Sequence, residues 1–247
     1  MTSAPYFLCS DAALFKLNMG ESVTAPAEIQ SHLKAQRIKS GEIVNFMSGK
    51  GHLLQARCAD ERTFRFSVLA IEVQDAPTPC IELCVAPPLG DALWETLGGA
   101  VQLGVSGVHF VASEHCQLSS RSKDPPWERA LRVVKAACEQ SGLARTPEVS
   151  NSWNSLDALL ESSDFEFVFA DEALATRGGV VGIVGGNFIP YGRLIRLFIG
   201  PEGGWSAGER QKLGARSLSL GLGPLVMRVP TATIAAMQSL KLLCATT

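Results

Sequence analysis

No apolar run in these 247 residues approaches the roughly 18 needed to cross a bilayer. The N-terminus, Met1 to Ser10, has no basic stretch leading into an apolar segment and cleavage site. A cytoplasmic protein without membrane contact is therefore expected. Cysteine occurs seven times, with no CxxC pair and no neighbouring histidine at zinc-ligand spacing. Neither a metal site nor a disulfide framework is expected, and the thiols read as buried and reduced. No G-x-G-x-x-G opens a helix after a first strand, which argues against a dinucleotide-dependent oxidoreductase. A basic surplus is missing too, since 22 Lys and Arg face 24 Asp and Glu for a net charge of -2. Even through Ala76 the count is eight against eight. Any grip on nucleic acid must then come from the arrangement of charges, because phosphate contacts normally appear as an excess of Lys and Arg.

Hydrophobic residues at 46% and charged residues at 19% suit a folded chain with a sizeable core, most naturally in two domains. The first third reads as strands, with Glu42 to Phe46 and Thr63 to Ile71 on either side of turn chemistry at Gly49-Lys50-Gly51. A small β-barrel fits that pattern better than a helical domain. The prolines at 77 and 79 break it, which puts the boundary between residues 76 and 77. Beyond it, short apolar runs alternate with helices. Strands are predicted at Cys80 to Ala86, Val108 to Ala112, Phe165 to Ala170, Val180 to Val184 and Leu194 to Ile199. Helices are predicted at Asp91 to Leu103 and Pro126 to Gln140, the latter with an apolar stripe through Trp127, Leu131, Val134 and Cys138. This is an α/β pattern with a largely buried parallel sheet. Around the Val180 to Val184 run, the glycine-rich stretch from Arg177 to Gly192 carries no further prediction.

Two loops carry the chemistry. Arg196 to Glu209 reads RLFIGPEGGWSAGE: an apolar strand enters a Gly and Pro loop, and Ser206 with Glu209 is spaced as a capping box for the next helix. Glycines at 200, 203 and 204 would let a small polar ligand approach the main chain near a helix N-terminus. The Gly-Lys-Ser/Thr ending of a phosphate-binding Walker loop is absent. Leu220 to Ala232 reads LGLGPLVMRVPTA, a second strand, Gly and Pro loop and helix start, with Pro230 suited to the first helical turn.

Here the chain resembles the bacterial 16S ribosomal RNA (uridine-N3) methyltransferases of the SPOUT superfamily. Their C-terminal signature is an Ile-Gly-Pro-Glu-Gly-Gly loop followed by a Leu-Gly loop ending in Leu-Arg-x-Glu-Thr-Ala. Weaker echoes extend the resemblance over the full length: His32 and Arg37 with Gly41, Gly49 with Gly51, Gln102 to Val105, Ser113-Glu114, and Glu139 to Ser141 with Arg145 and Pro147. The chain departs from the family at Gln102 and Pro230, where Glu is usual, at His115, Leu143 and Leu225, where Arg is usual, and at Gly90, where Lys is frequent.

The resemblance implies an α/β fold whose C-terminal SPOUT domain, a trefoil knot, spans 77–247, preceded by a PUA-like β-barrel RNA-binding domain over 1–76. It implies S-adenosylmethionine as cofactor, held by Ile199, Gly200, Pro201, Glu202, Gly203, Gly204, Leu220, Leu222, Gly223 and Met227. Arg228 would stabilise negative charge on the uracil ring and Thr231 would hydrogen-bond its oxygen. His32 and Arg37 would contact RNA, and the working unit would be a homodimer on small-subunit ribosomal RNA. Other readings of the same residues stay open: Arg228 as a surface or helix-capping cation, Thr231 as serving the backbone of the first helical turn, His32 and Arg37 as a solvated strip, Glu202 as a complement to a helix N-terminus, Trp205 as packing or as a base-stacking platform. Two rival functions also remain, a catalytically inactive relative serving as a ribosome-assembly factor and a SPOUT enzyme with another RNA target.

Overall fold

The computed structural model describes residues 4–176, 181–184 and 192–245. The chain divides into two compact units, one of residues 1–76 with 135–146 and the other of 77–134 with 147–247.

The first unit contains β1 (Tyr6–Leu8), β2 (Ser22–Thr24), α1 (Ala27–Ala35), β3 (Ile43–Met47), β4 (His52–Asp60) and β5 (Arg65–Val73). They form a five-stranded sheet in the order β1-β3-β4-β5-β2, antiparallel except for β1 with β3. Alternation drives β4: Leu54, Ala56 and Cys58 are buried, in step with Phe66 and Val68 of β5. The strand reading of this region missed α1, whose Ile29 and Leu33 lie one turn apart and bury completely on the sheet. His32 and Arg37 are therefore exposed residues of a helix and of the turn after it, with Arg37 at φ 56°. Residues 135–146, assigned by the sequence to the second domain, pack with this unit instead. Glu139 Oε1 accepts from the Leu8 N–H at 2.9 Å, Gln74 Oε1 accepts from the Ala144 N–H at 2.7 Å, and Arg145 Nε donates to the Gln74 carbonyl at 3.1 Å. Gly51, at φ 101°, leaves room for the Arg145 guanidinium, which a Cβ there would meet at 2.8 Å.

The second unit follows as β6 (Cys80–Val85), α2 (Asp91–Gln102), β7 (Gly107–Val111), α3 (Gln117–Arg121), α4 (Trp127–Ser141), β8 (Glu148–Asn154), α5 (Leu156–Leu160), β9 (Phe165–Ala170), α6 (Ala173–Thr176), β10 (Val181–Val184), β11 (Leu194–Ile199), α7 (Ala207–Arg216), β12 (Leu218–Leu222) and α8 (Val229–Ala245). Helix α4 passes from this unit into the first at residue 135. The sheet order is β10-β12-β9-β11-β6-β7-β8, parallel throughout except for β10. Central strands are buried on both faces, hence their continuous apolar runs. Phe167, Phe169 and Phe198 enter one cluster with Leu156, Leu159 and Leu213, while the opposite side chains Ile195, Leu197 and Val168 are also buried. On α4 the buried stripe runs through Ala130, Val134 and Cys138, and Leu131 is exposed, a rotation from the predicted face. The polar strand β8 was not predicted. Most of Arg177 to Gly192, including Val180 of the strand predicted at Val180 to Val184, lies outside the described residues.

All seven cysteines are free and all but Cys80 are buried. Burial pushes the Cys9 thiol up to about 11 and that of Cys138 to about 12. Among the described residues no helix is long and apolar enough to cross a membrane.

One polar cluster is built into the sheet. Registry sets Arg196 of β11 beside Glu82 of β6, and Arg196 Nε donates to Glu82 Oε2 at 2.9 Å while His109 Nε2 lies 3.1 Å from the same oxygen. Arg196 also donates to the Leu159 carbonyl at 2.8 Å and lies 4.0 Å over the Phe165 ring. Burial pushes the Glu82 carboxyl up, but the hydrogen bonds and charges of His109 and Arg196 outweigh it and hold it below the usual carboxylate range. A carboxyl depressed on folding stabilises the protein above its unfolded pKa of about 4.3, and that contribution disappears as the pH falls through the folded value. Glu82→Gln should thus cost about 1–3 kcal/mol at neutral pH, with a smaller gap to the parent below about pH 4. Urea unfolding midpoints of both proteins at the two pH values test this, and a gap that widens on acidification contradicts it.

Candidate functional site: a cavity at the strand ends

β9, β11 and β12 are parallel neighbours, so their carboxyl ends open on one side of the sheet. The chain leaves β11, forms α7 and returns as β12 on the far side of β9, the kind of crossing where α/β sheets hold ligands. A cavity of about 300 Å³ lies there, at the lower end of the range for small-molecule sites. Both glycine loops contribute. Ile199, Gly200, Pro201, Glu202 and Gly204 line it from the first, and Leu222, Gly223, Met227 and Arg228 from the second. Gly203, Leu220 and Thr231 are outside the lining: Gly203 turns toward His115, Leu220 is fully buried in β12, and Thr231 is exposed in the first turn of α8.

The glycines serve packing more directly than the sequence suggested. A Cβ at Gly200 would lie 3.1 Å from the Trp205 ring, and one at Gly203 3.1 Å from His115 Cβ. One at Gly204, where φ is 69°, would lie 2.5 Å from Glu172 Oε1. Each absent side chain makes room for a neighbouring side chain. At Gly223, with φ 111°, the backbone conformation itself calls for glycine.

The loop is fixed at its far end by α7. Ser206 Oγ accepts from the Glu209 N–H at 3.3 Å and Glu209 Oε2 accepts from the Ser206 N–H at 2.9 Å, completing the expected capping box. The same carboxylate, only 8% exposed, also accepts from the Glu114 N–H at 3.0 Å and the Ser113 hydroxyl at 3.2 Å. Ser206 Oγ in turn donates to Glu114 Oε1 at 2.9 Å. His115 Nδ1 donates toward the Gly204 carbonyl at 2.9 Å. The segment that departs from the family at His115 is thus tied to the loop from both sides. Trp205 is 4% exposed and packs among Phe198, Leu213 and Val111, which leaves no face for a nucleic-acid base. Glu202 Oε1 accepts from the Leu89 N–H at 3.0 Å, so this carboxylate braces the turn before α2.

The remaining walls were not anticipated. Asp171 and Glu172, just past β9, line the cavity and share the guanidinium of Arg210. Leu225 and Val226 are lining residues too, yet 75% and 72% exposed. An acidic pair directly after an apolar strand was the available signal for the first wall. Arg228 lines the cavity and is exposed, and its side chain takes no hydrogen bond or ion pair among the described residues.

Glycine loops at the carboxyl ends of a doubly covered parallel sheet, around a ligand-sized cavity, define an α/β domain built to bind a small molecule. The chain belongs to the RNA methyltransferase domain family, whose sequence model matches residues 75–241. The resemblance read from the two C-terminal loops holds at that level. Among curated proteins it is similar to ribosomal RNA small subunit methyltransferase E of Bacillus subtilis, 28% identical over 62% of each chain. The corresponding protein of Buchnera aphidicola is 30% identical over 58% of this chain and 57% of its own. These alignments span less than two thirds of the relatives' lengths. Among solved structures, ribosomal RNA small subunit methyltransferase E of Neisseria gonorrhoeae, determined bound to S-adenosyl methionine, is 26% identical with a TM-score of 0.78, over 97% of this chain and 98% of that one.

If positive φ and the Glu172 contact fix Gly204, alanine there should cost about 1–3 kcal/mol, whereas Gly203→Ala, with an ordinary φ and a movable His115 neighbour, should cost less than about 1 kcal/mol. Thermal or denaturant unfolding of the two variants decides it, and equal losses would mean that neither constraint matters.

Proposed function

We propose that this protein uses S-adenosylmethionine to methylate N3 of a uridine in the 16S RNA of the small ribosomal subunit. The observation that carries the reading is the cavity formed jointly by the two loops on which the family resemblance rests. Its walls fit the cofactor. Ile199, Leu222, Leu225, Val226 and Ala232 offer apolar surface for a flat base, the main chain of both loops offers donors and acceptors, and Asp171, Glu172 and Glu202 suit a ligand that carries positive charge. The Neisseria protein, similar over nearly the whole chain, binds that same molecule. When bound, S-adenosylmethionine supplies an electrophilic methyl group.

The chain's own residues must prepare the nucleophile. N3 of uridine carries a weakly acidic proton, and its loss leaves negative charge on the ring oxygens. Arg228, at the cavity rim and unpaired among the described residues, is the group for stabilising that charge. Thr231, three residues on and exposed, is available on the RNA side to hydrogen-bond a ring oxygen. His32 and Arg37 belong to the N-terminal unit, residues 1–76 with 135–146, read here as a PUA-like barrel that grips RNA backbone, and 77–134 with 147–247 as the knotted SPOUT domain. Leu225 and Val226, exposed apolar residues beside the cavity, support a homodimer in which a second copy covers them. The setting is the cytoplasm, where ribosomal RNA is modified.

The test is single-turnover transfer of a labelled methyl group to unmodified small ribosomal subunits, beside calorimetric titration with the cofactor. Arg228→Ala should slow transfer on the order of a hundredfold while changing cofactor affinity only a few-fold, because the charge it meets develops in the transition state. Arg228→Lys should recover little, since an ammonium lacks the planar fork. Parental rates in Arg228→Ala would remove the assignment. A parent that binds the cofactor but transfers nothing would favour a non-enzymatic role or another RNA. Light scattering at micromolar concentration should return about twice the chain mass of 26.3 kDa, and the monomer mass would count against the dimer.

A further inference from the structure

One wall of the cavity carries two carboxylates held by a single guanidinium. Asp171 and Glu172 follow the last residue of β9, and the two terminal nitrogens of Arg210 donate to Asp171 Oδ1 and Glu172 Oε1. The three side chains are 12%, 34% and 31% exposed, respectively for Asp171, Glu172 and Arg210. Asp171 has a second donor, the Ala173 N–H at 3.1 Å. Glu172 is confined from the other side by Gly204, whose missing Cβ would stand 2.5 Å from its Oε1. Its carboxylate is therefore fixed in place as part of the lining.

Among the described residues, those lining the cavity with a charge are Asp171, Glu172, Glu202 and Arg228. With Arg210 standing behind the first two, three carboxylates face two guanidinium groups. Among these groups the excess is negative, and of the two carboxylates that share Arg210, Glu172 is the less compensated. Asp171 has both a guanidinium and a backbone donor, and Glu202 is exposed to screening solvent.

We infer that Glu172 makes the cavity discriminate by charge between the cationic sulfonium cofactor and its neutral demethylated counterpart. The inference rests on the proposed use of S-adenosylmethionine. That molecule carries a sulfonium and one net positive charge at neutral pH, whereas S-adenosylhomocysteine is a neutral thioether of nearly the same shape. Apolar and main-chain contacts treat the two almost alike, so shape gives little selectivity. A fixed carboxylate in a partly desolvated wall favours the cation. Glu172 is a specificity-determining residue on this reading, and it disfavours retention of the spent ligand.

The experiment is isothermal titration of the full-length protein with each ligand in turn, for the parent and for Glu172→Gln, at low and high salt. Glutamine keeps the shape and an oxygen that can accept from Arg210. We expect Glu172→Gln to weaken S-adenosylmethionine binding roughly tenfold and S-adenosylhomocysteine binding less than about twofold. In the parent, added salt should weaken the cationic ligand more than the neutral one. Because both ligands are measured on the same preparation, partial misfolding lowers both and leaves their ratio intact. Should the variant not fold, the parental salt dependence decides alone, and equal salt slopes overturn the inference. A parent that binds both ligands, with a ratio unmoved by Glu172→Gln, overturns it while leaving the cofactor reading in place. A parent that binds neither overturns the cofactor reading and this inference together.

Discussion

Glu209 and Arg210 are consecutive residues in the first turn of α7, and successive helical side chains point about 100° apart. Glu209 turns inward, caps its own helix through Ser206, and takes donors from Ser113 and Glu114. Arg210 turns toward the end of β9 and holds Asp171 and Glu172. One helix start therefore ties the segment after β7 on one side and the acidic wall of the cavity on the other. A carboxylate as buried as Glu209, with no ion pair among the described residues, is tolerable only because three donors satisfy it, which makes removal of any partner costly. The position of the Gly200 to Gly204 loop follows from that local requirement.

The strand order gives the clamp its reach. Since β12 lies beyond β9 from β11, α7 must cross above the end of β9, which brings Arg210 to the acidic pair. A direct hairpin from β11 to the next strand would leave Asp171 and Glu172 without a cation and the cavity without one wall. The backbone adds its own tie, since the Asp171 N–H donates to the Leu220 carbonyl at 3.1 Å. Topology, capping and charge pairing point to the same arrangement, the mark of a minimally frustrated sequence.

Legibility in the sequence tracked the range of the interaction. The capping box was readable because both partners lie within one turn, and Phe165–Ala170 and Leu194–Ile199 because runs buried on both faces need no context. Ser113, Glu114 and Asp171 as partners of α7 were not readable, because they arrive from distant strands. The glycines at 200, 203 and 204 were recognised as special, but their missing Cβ atoms make room for Trp205, His115 and Glu172, which no local pattern reveals. In the first unit β4 was hidden because its buried face uses Ala56 and Cys58, weak signals of alternation. Helix α1 was hidden because only Ile29 and Leu33 mark its apolar side. Residues 135–141 continue α4 without a break, so nothing along that helix marks the change of partner at residue 135.

That change of partner has a structural consequence for a chain whose first 76 residues are electrically neutral. The turn at Gly49 to Gly51 is paired with Arg145, the Gly51 N–H donating to the Ala144 carbonyl at 2.8 Å and the Thr146 N–H to the Gly49 carbonyl at 2.9 Å. Backbone pairing of this kind needs no charge, and the Arg145 side chain serves main-chain oxygen and the space over Gly51. One of the conspicuous cations in the family-like segment is thus engaged in structure. The basic residues left exposed in this unit, Arg37, Arg57, Arg62 and Arg65 among them, must carry any electrostatic contact with RNA by their placement. A fold that spends cations on internal ties and carries no surplus would bind nucleic acid weakly through charge alone, so selectivity would rest on shape and on the chemistry at the strand ends.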